Sequence, residues 1–363
     1  MTKKFTFLFF VSLVSPFIYA QEILIQDPII IPIHVNQLIK GKSVLIKNGR
    51  IAQIAPFSLI KKTAKTKVIN AKGLYLMPGL ADMHVHLPDM SSVDSAIKEQ
   101  LLAGVTHIRV MNSELDQLEL QKKVKENNTI QYPQIFTSFI IRRNDRFNEG
   151  QLDSLLISIK KQGYRFIKLF SVANEQTFSN LMKIADKHQM IVAGHFPSNL
   201  SMEMVLKTNF RSIEHLGGYT QKNNYENLDR MVEHSKNIFN CPTLNYFISE
   251  AKTDSTYNSK LYAVMQALDR NNCSLLVGSD LGGRTGMLSE MKIWENLGIS
   301  RYTILKSATM NPALFFNESN QWGSIQVGRE ASLLLLKKNP LENIDHLKSI
   351  RNIFLRGTAI ESN

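Results

Sequence analysis

Strand-like and helix-like segments alternate from about Pro78 to Asn317, and this rhythm restricts the chain to a largely parallel α/β architecture. Strands are predicted at Leu80–His86, Val105–Met111, Gln134–Ile141, Phe166–Phe170, Ile191–His195, Ser212–His215, Ile238–Pro242 and Leu275–Asp280. Helices are predicted between them, among others at Ser92–Ala103, Leu152–Gln162, Glu175–His188 and Asn258–Arg270. Eight β/α units in about 240 residues match the size of a TIM (β/α)8 barrel. A doubly wound sheet is the rival architecture, but no Gly-rich dinucleotide fingerprint follows any of these strands.

Both ends of the chain read differently, as short apolar runs broken by turn residues. Ser43–Lys47 meets Asn48-Gly49 and then Arg50–Ile54, a strong hairpin signal. Val68–Asn70 and Leu74–Leu76 are predicted strands, as are Gly323–Ile325, Ser332–Leu336 and Ile350–Leu355 near the C-terminus. The expected organisation is a barrel over 78–318 and a small composite β-sandwich domain formed by both chain ends, 21–77 plus 319–363.

The first twenty residues read as an address. Lys3 and Lys4 precede the apolar run Phe5–Val14, and Ser15–Ala20 leads to Gln21, the order of a secretory signal peptide cleaved after Ala20. The run is shorter than the roughly 20 residues of a spanning helix, so stable membrane insertion is not expected. The alternative is an N-terminal membrane anchor. Export implies a periplasmic or secreted protein in an oxidising compartment. Its two cysteines, Cys241 and Cys273, either pair or stay buried and free, and neither has the context of a catalytic thiol. The formal net charge is +12, but the basic residues are spread along the chain and no nucleic-acid-binding signature is present, so no nucleic-acid partner is expected. A small-molecule substrate is expected, and the oligomeric state is left open.

The chemistry-bearing residues sit at predicted strand ends. His84-Val85-His86 puts two imidazoles on one side of the first strand, because residues i and i+2 of a strand face the same way. Lys168 interrupts the apolar strand Phe166–Phe170, where an ammonium is costly unless it is paired, altered or snorkels to the surface. His195, His215 and Asp280 end three later strands. Each has a structural explanation when taken singly. Together they converge, since the C-terminal ends of barrel strands meet at one mouth, and imidazole and carboxylate suit zinc and related divalent ions. His34, His107, His188, His234 and His346 lie away from these ends and read as packing or surface residues.

Leu76–His86 resembles the opening motif of the amidohydrolase superfamily. Gly104-Val105-Thr106, Ser212–His215, Gly278-Ser279-Asp280, Asn311-Pro312-Ala313 and Gly323-Ser324-Ile325 with Gly328 resemble its later motifs. The likeness runs from about Val44 to Gly357 and is strongest to the imidazolonepropionase-like and prolidase-like branch. It implies a barrel with a composite β-sandwich and two divalent metal ions, zinc by preference. It implies His84, His86 and Asp280 as ligands of one ion, His195 and His215 of the other, and an N-carboxylated Lys168 bridging them. The implied activity is hydrolysis of a C–N bond, amide or dipeptide-like, by a metal-activated hydroxide, with Asp280 as general base and then acid. The alternatives are a deaminase or cyclic amidohydrolase with the same metals, or a non-catalytic binding protein.

Tyr219, just after His215, is a candidate oxyanion donor and substrate contact, or else a packing tyrosine. Arg109, Arg142 and Arg143 end the second and third strands and are candidate forks for a substrate carboxylate, against the alternative of solvated surface arginines. Val110 after Arg109, and Ser332 between Ala331 and Leu333, depart from the pattern of related sequences, which carry Asp at both places.

Overall fold

The computed structural model describes residues 22–127, 131–280 and 283–360. The signal peptide expected at 1–20 lies outside the described residues. The N-terminal strands are β1 (Glu22–Gln26), β2 (Ile29–Ile30), β3 (Ser43–Lys47), β4 (Arg50–Ala55), β5 (Thr66–Asn70) and β6 (Tyr75–Pro78). The β3–β4 hairpin turns at Asn48 and Gly49, whose φ values of +50° and +76° are those a two-residue turn of matching twist requires.

The chain then enters a parallel barrel of β7 (Leu80–Val85), β8 (Val105–Val110), β9 (Gln134–Ile141), β10 (Phe166–Leu169), β11 (Ile191–His195), β12 (Ser212–Glu214) and β13 (Phe239–Cys241). These seven strands are hydrogen-bonded in sequence order. The expected eighth strand, Leu275–Asp280, lacks a regular ladder but closes the ring. Leu276 N donates to Asn240 O at 2.8 Å on one side, and Met83 N donates to Val277 O at 2.9 Å on the other. Gly278 makes this closure feasible, because a Cβ there would come 2.6 Å from both Cys241 Sγ and His84 Cβ. The TIM-barrel expectation is borne out, with seven of the eight strands found within a residue or two of their predicted ends and the eighth present as the closing segment.

The C-terminal strands β14 (Leu333–Leu336), β15 (Ile350–Leu355) and β16 (Thr358–Ile360) complete a five-stranded sheet in the order β16-β15-β14-β6-β2. A second sheet runs β4-β3-β1-β5. Ile23, Val44 and Ile46 of the latter share one apolar core with Leu76, Leu333, Leu335 and Phe354 of the former. Both ends of the chain thus build the layer beside the barrel. Gly323–Ile325 is not a strand, contrary to expectation. Gly323 turns the chain at φ +89°, and Ile325 is tied instead by its N–H to Pro32 O at 3.1 Å.

Inside the barrel the lower layers are aromatic. Phe136, Phe166, Phe239, Phe315, Phe316 and Trp322 belong to one buried cluster, with His107 stacked 3.9 Å from the Trp322 ring. His107 is a packing residue, and burial pushes its imidazole down to about 3. Cys241 and Cys273 are both buried and free. No helix among the described residues is long and apolar enough to cross a membrane.

Candidate metal centre

Above the aromatic floor lies a polar layer whose members come from different strands. Arg109 of β8 is fully buried, with its guanidinium 4.6 Å from the Phe315 ring. It donates to Met83 O, to Ser212 Oγ at 3.0 Å, and to both carboxylate oxygens of Glu214 at 2.9 and 2.8 Å. Ser212 and Glu214 alternate on β12 and so reach the same side. Ser212 also donates to Glu214. Burial alone would raise the Glu214 carboxyl, but the Arg109 and Lys168 cations outweigh it and hold the group below the usual carboxylate range.

Glu214 in turn fixes His84. The His84 Nδ1 atom lies 2.8 Å from Glu214 Oε2, and an ionised carboxylate only accepts, so Nδ1 carries the proton and Nε2 presents its lone pair. That Nε2 is buried without a hydrogen-bond partner. It faces Asp280 Oδ1 at 3.4 Å, and His86 Nε2 approaches the same oxygen at 3.2 Å. Ligating atoms of His84, His86 and Asp280 all lie within 4.8 Å of one another. A buried acceptor with no donor is costly, whereas a cation coordinated among these atoms would satisfy it, so the three residues fit a divalent ion.

His215 and His195 continue the arc. The ring centroids are 4.7 Å apart for His84 and His215, and 4.9 Å apart for His195 and His215. Thr243 Oγ1 lies 2.7 Å from His215 Nδ1. Burial and the surrounding cations drive His84 and His215 well below the ordinary imidazole value, and lower His195 to about 4. Neutral imidazole is the ligating form. Lys168 projects from β10 into the same space. Burial lowers its ammonium to about 8, so roughly a tenth is unprotonated at pH 7, far more than for an ordinary lysine.

The backbone is strained where these side chains emerge. His215, Leu216, Thr243 and Asp280 have φ of +61°, +54°, +50° and +56°, a region that costs non-glycine residues energy and that concentrates at functional sites. Asp82 ties the two ends of the ring together, since its Oδ1 accepts from the N–H groups of His84 at 3.2 Å and Ser279 at 3.0 Å. Burial raises the Asp82 carboxyl to about 6, with these hydrogen bonds opposing it.

The six residues predicted as metal ligands, His84, His86, Lys168, His195, His215 and Asp280, thus gather at one mouth. A cavity of about 580 Å³ opens at this mouth, lined by five of the six, His84 being fully buried, and by Phe170, Phe196, Glu214, Gly217, Tyr246 and Phe247. The remaining predicted contacts fare differently. Arg109 does not reach this cavity, because Glu214, Ser212 and Met83 consume its guanidinium beneath the floor. Tyr219 is fully buried in the outer core, its phenol raised by burial, and it does not line the cavity. Arg143 is exposed away from the lining. Arg142 stands at the rim, 5.8 Å from the ring of Phe170.

Glu214, Thr243 and Glu290 were not singled out by sequence reasoning. Glu214 carried a signal, since its alternation with Ser212 points both into the barrel. Glu290 lies on the helix Gly283–Asn296 and accepts from Asn245 N at 2.7 Å and Trp294 Nε1 at 2.8 Å, which anchors the short helix Leu244–Ser249 bearing Tyr246 and Phe247. A second cluster of potential ligands, His84, Glu214 and Cys241, does not suit a cation. Arg109 already occupies the Glu214 carboxylate, and burial keeps Cys241 a thiol.

The family model described as "Amidohydrolase family" matches residues 75–360. An adenine deaminase of Ruegeria sp. (strain TM1040) is 40% identical over 55 residues, which are 15% of this chain and 9% of that protein. A dihydroorotase of Geobacter metallireducens is 27% identical over 148 residues, 39% of this chain and 31% of that protein. The matches therefore span less than a third of these relatives' lengths. Among solved structures, a Xaa-Pro dipeptidase with bound methionine in its active site superposes with a TM-score of 0.78 at 18% identity, covering 94% of this chain and 100% of its own. With the family match running through both the barrel and the flanking sheets, this chain belongs to the amidohydrolase family.

Proposed function

We propose that the protein is an exported amidohydrolase that cleaves an amide or dipeptide-like C–N bond with two divalent metal ions. One observation carries the reading: the buried, partnerless Nε2 of His84 lies 3.4 Å from the Asp280 carboxylate, which His86 Nε2 also approaches, at the C-terminal end of the barrel. His84, His86 and Asp280 would hold one ion, and His195 with His215 the other. The neutral Nζ of Lys168 adds to the carbon of carbon dioxide, forming an N–C bond and releasing a proton to solvent. The resulting carbamate would be an anionic ligand for the cations held by the histidines, and it would remove the cost of a buried ammonium. When bound, the two cations, zinc by the ligand types, polarise the scissile carbonyl and acidify water.

Asp280 takes a proton on its carboxylate and delivers it to the leaving nitrogen, acting first as base and then as acid. Glu214 and Arg109 hold His84 in one tautomer. Arg142, at the rim, meets the carboxylate of a substrate's far end. Deamination of a ring amine or opening of a cyclic amide is the second reading, favoured by the local sequence matches to an adenine deaminase and a dihydroorotase. Export rests on the signal-like residues 1–20, with Gln21 as the expected first residue of the secreted form.

Metal analysis of the purified chain combined with a screen of dipeptides, N-acyl amino acids, adenine and dihydroorotate tests the proposal. About two equivalents of metal and turnover of open-chain amides are expected, abolished in folded His215→Ala and Asp280→Asn variants. Ammonia release from adenine, or opening of the dihydroorotate ring, would select the second reading. Bound metal without turnover across the panel would select a binding protein.

A further inference from the structure

His86, just after β7, and Asp280 of the closing segment line the cavity together with four aromatic rings: Phe170 just after β10, Phe196 just after β11, and Tyr246 and Phe247 on the helix after β13. Phe170 stands edge-on to His195 with ring centroids 4.5 Å apart, and Phe247 edge-on to His215 at 5.8 Å. Tyr246 packs against Phe247 at 5.6 Å. The aromatic surface thus begins directly beside the imidazoles and leads outward.

The wall is built to stay in place. Phe196 is wedged against the Gly217-Gly218 turn, where a Cβ on Gly218 would come 2.7 Å from its ring. Any side chain there would displace the ring. The helix carrying Tyr246 and Phe247 is pinned through Asn245 N to the buried Glu290. Phe170 is 38% exposed and lines the cavity beside His195, so part of its ring faces the open space.

We propose that the substrates are amides bearing an aromatic or comparably bulky apolar group close to the scissile bond, seated between Phe170, Phe196, Tyr246 and Phe247. This rests on the amidohydrolase reading of the same site and adds the chemistry of the substrate. Aromatic rings bury a large area and gain further from edge-to-face contacts with other rings, so the slot discriminates by size and by π character.

The test uses the full chain loaded with zinc and matched substrates that differ only by a ring: Ala-Ala against Phe-Ala and Ala-Phe, and N-acetyl-alanine against N-benzoyl-alanine. In parallel, phenylacetate and acetate are titrated calorimetrically, which reads the slot without turnover. The ring is expected to raise kcat/KM by about tenfold or more in at least one pair, and to tighten carboxylate binding similarly. Phe247→Leu and Tyr246→Leu, which remove the ring but keep an apolar side chain, are expected to reduce that ratio severalfold. Equal kcat/KM within every pair and equal binding of the two acids would overturn the proposal while leaving the hydrolase reading standing. Tight phenylacetate binding without hydrolysis of any substrate would uphold the slot and defeat the hydrolase reading.

Discussion

Replacing Arg109 by Met removes, among the described residues, the one cation whose side chain bonds directly to the Glu214 carboxylate, which itself has no exposure to solvent. Breaking one side of such a buried pair costs about 3–5 kcal/mol, because the surviving charge remains desolvated. Glu214→Gln strands the guanidinium and costs about the same. The double variant Arg109→Met/Glu214→Gln leaves no net charge, and its cost should fall short of the sum of the singles by roughly 2–3 kcal/mol. Urea unfolding of the metal-free variants, followed by circular dichroism and tryptophan fluorescence with coincident transitions, measures all three corners. A second readout concerns His84. Glu214→Gln replaces the anionic acceptor at Nδ1, and zinc affinity measured against a competing chelator should drop about 10–100-fold. Singles that simply add, or an Arg109→Met cost below about 1 kcal/mol, would refute the picture of a buried pair supporting the metal ligand.

A carbamate on Lys168 should give a carbonyl carbon resonance in protein loaded with zinc and 13C-bicarbonate, and Lys168→Arg should lose both that resonance and activity. Burial raises Glu290 to about 7, so between about pH 4.5 and 7 the folded state holds a proton there that the unfolded chain releases, and this group's contribution to stability falls as pH rises through that window. That contribution changes by about 3 kcal/mol by the linkage relation and should be absent from Glu290→Gln; the difference between the urea-derived stabilities of the two proteins across the range isolates it from the buried histidines, whose contributions run the other way. Arg142→Ala should raise KM severalfold for carboxylate-bearing substrates while leaving kcat near wild type, as steady-state kinetics with and without the substrate carboxylate would show.

The barrel was legible because its information is local. Alternating apolar runs and intervening helices set the rhythm, and each predicted ligand closes a strand, so a rule about strand ends brings His84, Lys168, His195 and Asp280 together without coordinates. Arg109 shows where such reasoning stops. The same rule that placed it at a strand end offered it to a substrate, yet its partner Glu214 lies 105 residues away and captures it underneath the site. Tyr219 follows His215 closely, but the left-handed turn at His215 and Leu216 sends the chain outward and buries the phenol among apolar side chains. The aromatic wall escaped notice because Phe170, Phe196, Tyr246 and Phe247 are unremarkable individually and belong to three separate connections.

The pairing of β6 with β14 has a bearing on biosynthesis. Leu76 stands opposite Leu335, and the N–H of Gly79, the residue leading into the first barrel strand, donates to Ser332 O at 2.8 Å. A nascent chain has made the His84-Val85-His86 segment long before its supporting neighbour leaves the ribosome. Barrel strands can assemble as they emerge, but the side of the molecule that steadies the first of them is finished only after synthesis is nearly complete. Premature stop codons before Leu333 should therefore yield chains with an open sheet edge along β6, prone to aggregate despite carrying all six proposed ligands.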